Sequence, residues 1–124
     1  MPHARDLLNY LVARYQLHIL SNGFVEVQYT KLKHAELEHY FGKIFLSEEI
    51  GALKPHKRIF EYALKSVNAR KNEALMIGDN FEADIVGAKN AGIDQLFYKV
   101  NDEQIESFTP TFTVRSLSEI KNIL

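Results

Sequence analysis

The sequence predicts an α/β fold with a mostly parallel β-sheet and helices on both of its faces. Short apolar runs alternate with segments of helical periodicity along the chain, a pattern typical of βαβ units. Polar turns follow the apolar runs, as they do where buried parallel strands end. Of the 124 residues, 46% are apolar, which is sufficient for the core of one compact domain. We therefore expect a single domain over residues 1–124.

The first third of the chain contains two predicted strands. Apolar residues at helical spacing predict an amphipathic helix over Pro2–Tyr15. The apolar run Leu17–Leu20 predicts a buried strand that ends at the polar turn Ser21–Gly23, and a second strand is expected at Lys43–Leu46. Between these strands a further helix is expected, and its inner face carries Val25, Gln28, Leu32, Ala35 and His39.

The remaining sequence continues the alternation of strands and helices. The predicted elements are a loop at Ser47–Pro55, a helix with its inner stripe at Ile59–Val67, a strand at Ala74–Ile77, a helix at Glu82–Ala91 closed by Gly92, strands at Gln95–Val100 and Phe112–Val114, and a terminal helix at Leu117–Leu124. This order predicts βαβ crossovers, and hence a three-layer, Rossmann-like sheet. In such sheets ligands bind at the carboxyl ends of the strands.

The composition argues against several classes of function. Fifteen basic residues against sixteen acidic ones give no basic surplus for binding nucleic acid. The absence of cysteine excludes disulfides and thiolate chemistry. No apolar stretch approaches the ~20 residues needed to span a bilayer, and the N-terminus lacks the pattern of a signal peptide. We expect a cytoplasmic protein that acts on a small molecule.

Ser21, Asn22 and Gly23 form the polar turn after the first predicted strand. A hydroxyl group and successive backbone N–H groups before a helix N-terminus can bind a phosphate group. The same residues can instead cap the helix that follows, which is their commoner use.

Lys54 stands in the segment Gly51–Pro55, and the proline after it favours an extended backbone at the lysine. From a loop at a strand end, its ammonium can reach phosphoryl oxygens as a point positive charge. An ordinary solvated loop lysine is the alternative.

Asp79 and Asp84 are the most informative acidic residues. Asp79 follows the predicted strand Ala74–Ile77 and Gly78, and Asp84 lies five residues later in the first turn of a helix. Clustered carboxylates are typical ligands of Mg²⁺, which would also neutralise phosphate charge. Alternatively, Asp79 only ends a strand and Asp84 only interacts with the helix dipole.

The three turns in order resemble the later sequence motifs of the haloacid dehalogenase-like (HAD-like) hydrolase superfamily. They read LHILSNG for the strand-Ser/Thr motif, GALKP for the lysine motif and MIGDNFEAD for the acidic motif. The resemblance runs from about Leu7 to Tyr98, and the sequence from Phe45 to Ile93 is most similar to the pyrimidine 5′-nucleotidase branch.

The resemblance implies phosphatase activity: Mg²⁺-dependent hydrolysis of a phosphate monoester, with a nucleotide as a candidate substrate, through an aspartyl-phosphate intermediate. It implies that Ser21 binds the phosphoryl group with Asn22 and Gly23, and that Lys54 neutralises charge. It also implies that Asp79 binds Mg²⁺ and that Asp84 supports either the metal site or the lysine.

The sequence departs from the family at its beginning. Members begin with a strand that ends in Asp-x-Asp-x-Thr/Val and carries the nucleophile, and no such motif occurs here. Asp6 lies in a predicted amphipathic helix with no apolar strand before it, so it is not assigned as the nucleophile. In the family this strand is central, between those read here as Leu17–Leu20 and Ala74–Ile77, and a cap domain precedes the matched region. We therefore expect part of a HAD-like core, either within a longer phosphatase or completed by strand exchange in a homodimer.

Two other functions are compatible with the same residues. The chain could be a catalytically inactive module that binds phosphate or Mg²⁺. It could also be a receiver-like signalling domain, although such domains place their acidic pair after the first strand and their lysine later, whereas here the lysine precedes the acidic cluster.

Overall fold

The computed structural model describes residues 4–22 and 36–124, and these residues form two compact units. The first unit comprises the described residues up to 51 together with 117–124, and the second comprises residues 52–116. Each unit contains parallel strands and short helices. The expectation that the whole chain is one domain stays a prediction.

The first unit contains a two-stranded parallel sheet. Its described elements are helix α1 (Ala4–Val12), strand β1 (His18–Ser21), a 3₁₀ turn (Glu38–Tyr40), strand β2 (Lys43–Leu46), helical turn α2 (Ser47–Ile50), a second 3₁₀ turn (Leu117–Glu119) and helical turn α5 (Ile120–Ile123). Strand β1 pairs with β2 in the register His18 to Lys43 and Ser21 to Leu46. The predicted inner helical face at Val25, Gln28, Leu32 and Ala35 lies outside the described residues. Its fifth residue, His39, was predicted wrongly, because it lies in the 3₁₀ turn and is exposed.

Side chains in α1 and just after it contact the C-terminal segment within the first unit. Leu7 and Leu11 are buried, because they repeat at the four-residue spacing that places them on one helical face. The Tyr10 hydroxyl donates to the Lys121 carbonyl at 3.4 Å, and the Tyr15 hydroxyl donates to the Leu124 carbonyl at 3.2 Å. The predicted terminal helix is therefore present, although it begins as a 3₁₀ turn.

The second unit contains a three-stranded parallel sheet. Its elements are helix α3 (Lys57–Ser66), a 3₁₀ turn (Lys71–Glu73), strand β3 (Leu75–Gly78), a π-helical segment (Phe81–Val86), helical turn α4 (Gly87–Asn90), strand β4 (Asp94–Tyr98) and strand β5 (Phe112–Val114). The strand order is β3-β4-β5. Phe81, Ile85 and Phe97 form a buried cluster, against which Val86 and Phe108 pack. Parallel pairing throughout both sheets confirms the predicted α/β class.

Two further predicted segments differ from the structure in the kind of element that they form. The predicted loop Ser47–Pro55 begins with the helical turn α2, which ends at Gly51 with φ of 80°. Four residues are too few to show helical periodicity in a sequence. The predicted single helix Glu82–Ala91 is a π-helical segment followed by α4, and it closes as expected at Gly92, whose φ is 78°.

Within residues 4–22 and 36–124, the structure contains no helix of the length and apolar character required to cross a membrane.

Candidate functional site

A close approach between β3 and the π-helical segment positions the acidic residues of the second unit. Gly78 ends β3, and a Cβ atom built there would overlap the carboxylate of Asp84. Glycine is required at this position because any larger residue would displace that carboxylate. Asp79 follows immediately, at the carboxyl end of β3.

Asp84 and Lys54 form a buried ion pair. The Lys54 Nζ lies 2.5 Å from Asp84 Oδ1, and the two side chains are 11% and 7% exposed, respectively. The other carboxylate oxygen of Asp84 accepts a hydrogen bond from the Asn80 N–H at 3.2 Å. Both oxygens are therefore engaged, as a buried carboxylate requires. This geometry favours the predicted role of Asp84 in supporting the lysine, and its role as a metal ligand stays a prediction.

The backbone that carries Lys54 is packed against α4. The Lys54-Pro55 peptide bond is cis. A Cβ atom built at Gly87 would lie 3.0 Å from the Pro55 Cα and 2.6 Å from Cε2 of the Phe60 ring. Since α4 can approach this closely only because residue 87 has no side chain, Gly87 contributes to the position of the lysine segment.

Asp79 differs from Asp84 in its surroundings. Its side chain is exposed, and within the described part of the chain its carboxylate has no hydrogen-bond or ion-pair partner. The residue after it, Asn80, caps the π-helical segment, where the Asn80 Oδ1 accepts from the Ala83 N–H at 2.9 Å. The structure thus presents one carboxylate to solvent and buries the other within the same turn.

Gln104 is a residue of this site that the sequence analysis missed. It lies between β4 and β5, and its side-chain amide accepts from the Phe81 N–H at 2.6 Å and donates to the Asp79 carbonyl at 2.7 Å. A single glutamine in a polar loop, 25 residues away from its partner, carries no sequence signal that would identify it.

Charged side chains anchor the segment that contains Gln104. Lys99 Nζ lies 2.6 Å from Glu106 Oε2 and 3.5 Å from Asp102 Oδ1. The hydrogen bond that Lys99 donates to Glu106 raises the pKa of Lys99 above its usual value. The hydrogen bond that Arg115 donates to Asp102, together with the charge of Arg115, lowers the pKa of Asp102.

The predicted phosphate-binding turn belongs to the first unit. Ser21 is the last residue of β1, where it pairs with Leu46, and it is half-buried, whereas Asn22 is exposed. Gly23 lies outside the described residues. The structure therefore brings together Lys54 and Asp84 in the second unit, with Asp79 in the same turn, and positions Ser21 and Asn22 in the first unit.

The acidic side chains of the second unit fit a Mg²⁺ site that is completed by substrate phosphate and water better than a site built from protein ligands alone. Mg²⁺ commonly uses one or two carboxylates together with substrate phosphate and water. Asp79 provides one exposed carboxylate of this kind. Among residues 4–22 and 36–124, no three His, Asp or Glu side chains are grouped closely enough to hold a metal ion by themselves.

Comparison with known proteins identifies the family. The model of the haloacid dehalogenase-like hydrolase family matches residues 1–98. This match covers most of the chain, and the chain belongs to the HAD-like hydrolases. The resemblance inferred from the sequence motifs is thereby confirmed.

Individual relatives are similar over nearly the whole chain. The pyrimidine 5′-nucleotidase YjjG of Escherichia coli is 39% identical over 126 residues, covering 100% of this chain and 56% of the nucleotidase. The pyrimidine 5′-nucleotidase PynA of Streptococcus pneumoniae is 37% identical, covering 98% of this chain and 54% of that protein. The chain thus spans about half the length of the curated relatives that it matches.

A solved structure confirms the fold. The crystal structure of the HAD-hydrolase YfnB of Bacillus subtilis, bound to magnesium, superposes with a TM-score of 0.90 at 34% identity. The match covers 99% of this chain and 54% of that chain. The predicted HAD-like α/β fold is therefore correct.

Proposed function

We propose that this chain supplies the lysine, serine and acidic residues of a phosphatase that hydrolyses phosphate monoesters with Mg²⁺. In this proposal Ser21, Asn22 and Gly23 bind the phosphoryl group, and Lys54 neutralises its charge. Asp79 binds the metal ion. The nucleophilic aspartate comes from a segment that this sequence does not contain. One observation carries the proposal: Lys54 forms a buried ion pair with Asp84, which lies five residues after the exposed Asp79.

The ion pair suits a lysine that stabilises a negatively charged phosphoryl group. Asp84 fixes the ammonium in one position, so little reorganisation is required when a phosphate binds. Burial of both side chains reduces screening by water and strengthens the attraction that holds the ammonium in place. When bound, Mg²⁺ would neutralise phosphoryl oxygens and orient the group for in-line attack.

A nucleotide is the substrate class that we propose. Two similar proteins are named pyrimidine 5′-nucleotidases, and the similarity extends over at least 98% of this chain. The proposed site recognises the phosphate group itself, so selection of the base and sugar depends on residues elsewhere. Family membership also favours a phosphatase over the receiver-like signalling alternative.

A chimera tests the proposed function. The part of the E. coli nucleotidase that precedes the matched region is joined to this chain, and hydrolysis of p-nitrophenyl phosphate and of pyrimidine 5′-monophosphates is measured with and without Mg²⁺. We expect Mg²⁺-dependent turnover that falls at least ~100-fold in Asp79→Asn and in Lys54→Met. The matched control Glu61→Gln removes an exposed carboxylate on α3 and should retain the activity.

Two outcomes would contradict the proposal. Turnover that is unchanged in Asp79→Asn would remove this residue from the metal site. A folded chimera that binds Mg²⁺ through Asp79 but hydrolyses none of these esters would favour the inactive binding module instead. The isolated 124-residue chain is expected to bind Mg²⁺ without turnover, because it lacks the Asp-x-Asp-x-Thr/Val motif.

An unpaired strand edge supports a proposal about the isolated chain. Among the described residues, β3 pairs only with β4. Strand β3 therefore keeps one edge whose backbone groups can pair with a further strand. We propose that two copies of the isolated chain associate through this edge by strand exchange. A monodisperse, cooperatively folded monomer in analytical ultracentrifugation would contradict this association.

A further inference from the structure

The Gln104 side chain binds the peptide groups on both sides of Asn80. Its side-chain oxygen accepts a hydrogen bond from the Phe81 N–H at 2.6 Å, and its amide nitrogen donates to the Asp79 carbonyl at 2.7 Å. A primary amide has one acceptor and two donors, so one side chain can bind both groups at once. The peptide groups before and after Asn80 are thus fixed by a single residue.

These two bonds complete the restraint of the turn that carries Asp79. The Asn80 N–H donates to Asp84, and the Asn80 side chain accepts from the Ala83 N–H. With the Asp79 carbonyl also bound, the backbone on the C-terminal side of Asp79 cannot rotate without breaking a hydrogen bond. The Asp79 carboxylate then differs from a flexible surface carboxylate, because only its own side-chain torsions remain variable.

The segment that carries Gln104 is itself anchored to the second unit. The Lys99 ammonium pairs with Glu106 at 2.6 Å on the C-terminal side of Gln104. Phe108 packs against Phe81, with 5.2 Å between the ring centroids. Polar and apolar contacts therefore fix Gln104 relative to the same turn whose backbone it binds.

We propose that Gln104 is a positioning residue for Asp79 in Mg²⁺ binding. This inference rests on the proposed function, in which Asp79 is a metal ligand. Removing a group that orients a metal ligand commonly lowers the metal affinity about 10–100-fold. A glutamine that only satisfied backbone groups would contribute to stability but not to the affinity of the folded protein for Mg²⁺.

The test compares Gln104→Met with the wild-type chain. Methionine has a similar length but can form neither hydrogen bond. Mg²⁺ alone is titrated into the 124-residue chain while the backbone amide signals of residues 78–84 are followed by NMR. We expect the Mg²⁺ Kd to rise about 10-fold in Gln104→Met, and hydrogen exchange at the Phe81 amide to accelerate while Leu96 in β4 stays protected. The control Ile105→Ala alters a neighbouring side chain that is 87% exposed and should match the wild type.

Different failures are distinguishable in this design. If Mg²⁺ binding depends on Asp79 but has the same Kd in Gln104→Met as in the wild type, only the positioning role is overturned. This holds even if the variant unfolds at a lower temperature. If the wild-type chain shows no Mg²⁺ binding that is lost in Asp79→Asn, both the metal site and the positioning role are overturned. If Gln104→Met does not fold, Gln104→Asn gives the same comparison, because its amide is too short to reach both backbone groups.

Discussion

Replacing Asp84 by asparagine would leave the buried Lys54 ammonium without its negative partner. The two side chains are only 11% and 7% exposed, so water cannot replace the lost carboxylate fully. Removing one partner of a buried ion pair costs 3–5 kcal/mol, and we take ~3 kcal/mol because Lys54 keeps slight exposure. The entropy of unfolding of a 124-residue chain is about 0.26 kcal/mol/K. The expected fall in Tm is therefore about 12 °C.

Thermal unfolding followed by circular dichroism measures this shift, with urea unfolding as a second assay. The matched control is Asp102→Asn, which breaks the pair with Arg115 at an aspartate that is 75% exposed. Exposed ion pairs contribute little, so the control should shift Tm much less. The double variant Lys54→Met/Asp84→Leu should be more stable than Asp84→Asn, because neither charge remains buried. A fall of under ~3 °C in Asp84→Asn would refute the reasoning, since it would mean that the pair is solvated.

Three further predictions concern other parts of the structure. Gly78→Ala should cost about 1–3 kcal/mol in urea unfolding, because its Cβ would overlap the Asp84 carboxylate. The loss should be smaller in an Asp84→Ala background, which lacks that carboxylate, and an equal loss there would contradict this cause. Burial, and then the charge of Lys43, lower the pKa of His18 below 6.5. The fold therefore prefers the neutral ring, and stability should be complete above pH 6.5 and should decrease as the pH falls through the folded pKa. In urea titrations at several pH values, His18→Gln should remove this pH dependence of stability. An equal dependence in the variant would show that another group causes it. Phe108→Ala should cost about 2 kcal/mol, because the ring is half-buried against Phe81; a loss under ~0.5 kcal/mol would show that this contact contributes little to stability.

Local patterns were sufficient for most of the fold. Strands at Lys43–Leu46 and Phe112–Val114 have the bounds that the sequence predicts, and the strand ending at Gly78 differs by one residue. Apolar runs and polar turns are properties of adjacent residues, so they can be read without knowledge of contacts. The π-helical segment at Phe81–Val86 could not be read in this way, because an apolar pattern does not distinguish it from an α-helix.

For the candidate site, the sequence by itself determined the residue types and their order: Ser21, then Lys54, then Asp79 and Asp84. Only the tertiary structure decided which carboxylate pairs with the lysine, because that contact joins residues 30 positions apart. It also revealed Gln104, whose bonds to the turn at Asp79 depend on how a distant loop packs. The physical reason is that turn chemistry is local, whereas the distance between two side chains on separate elements is set by the packing of the core that holds those elements.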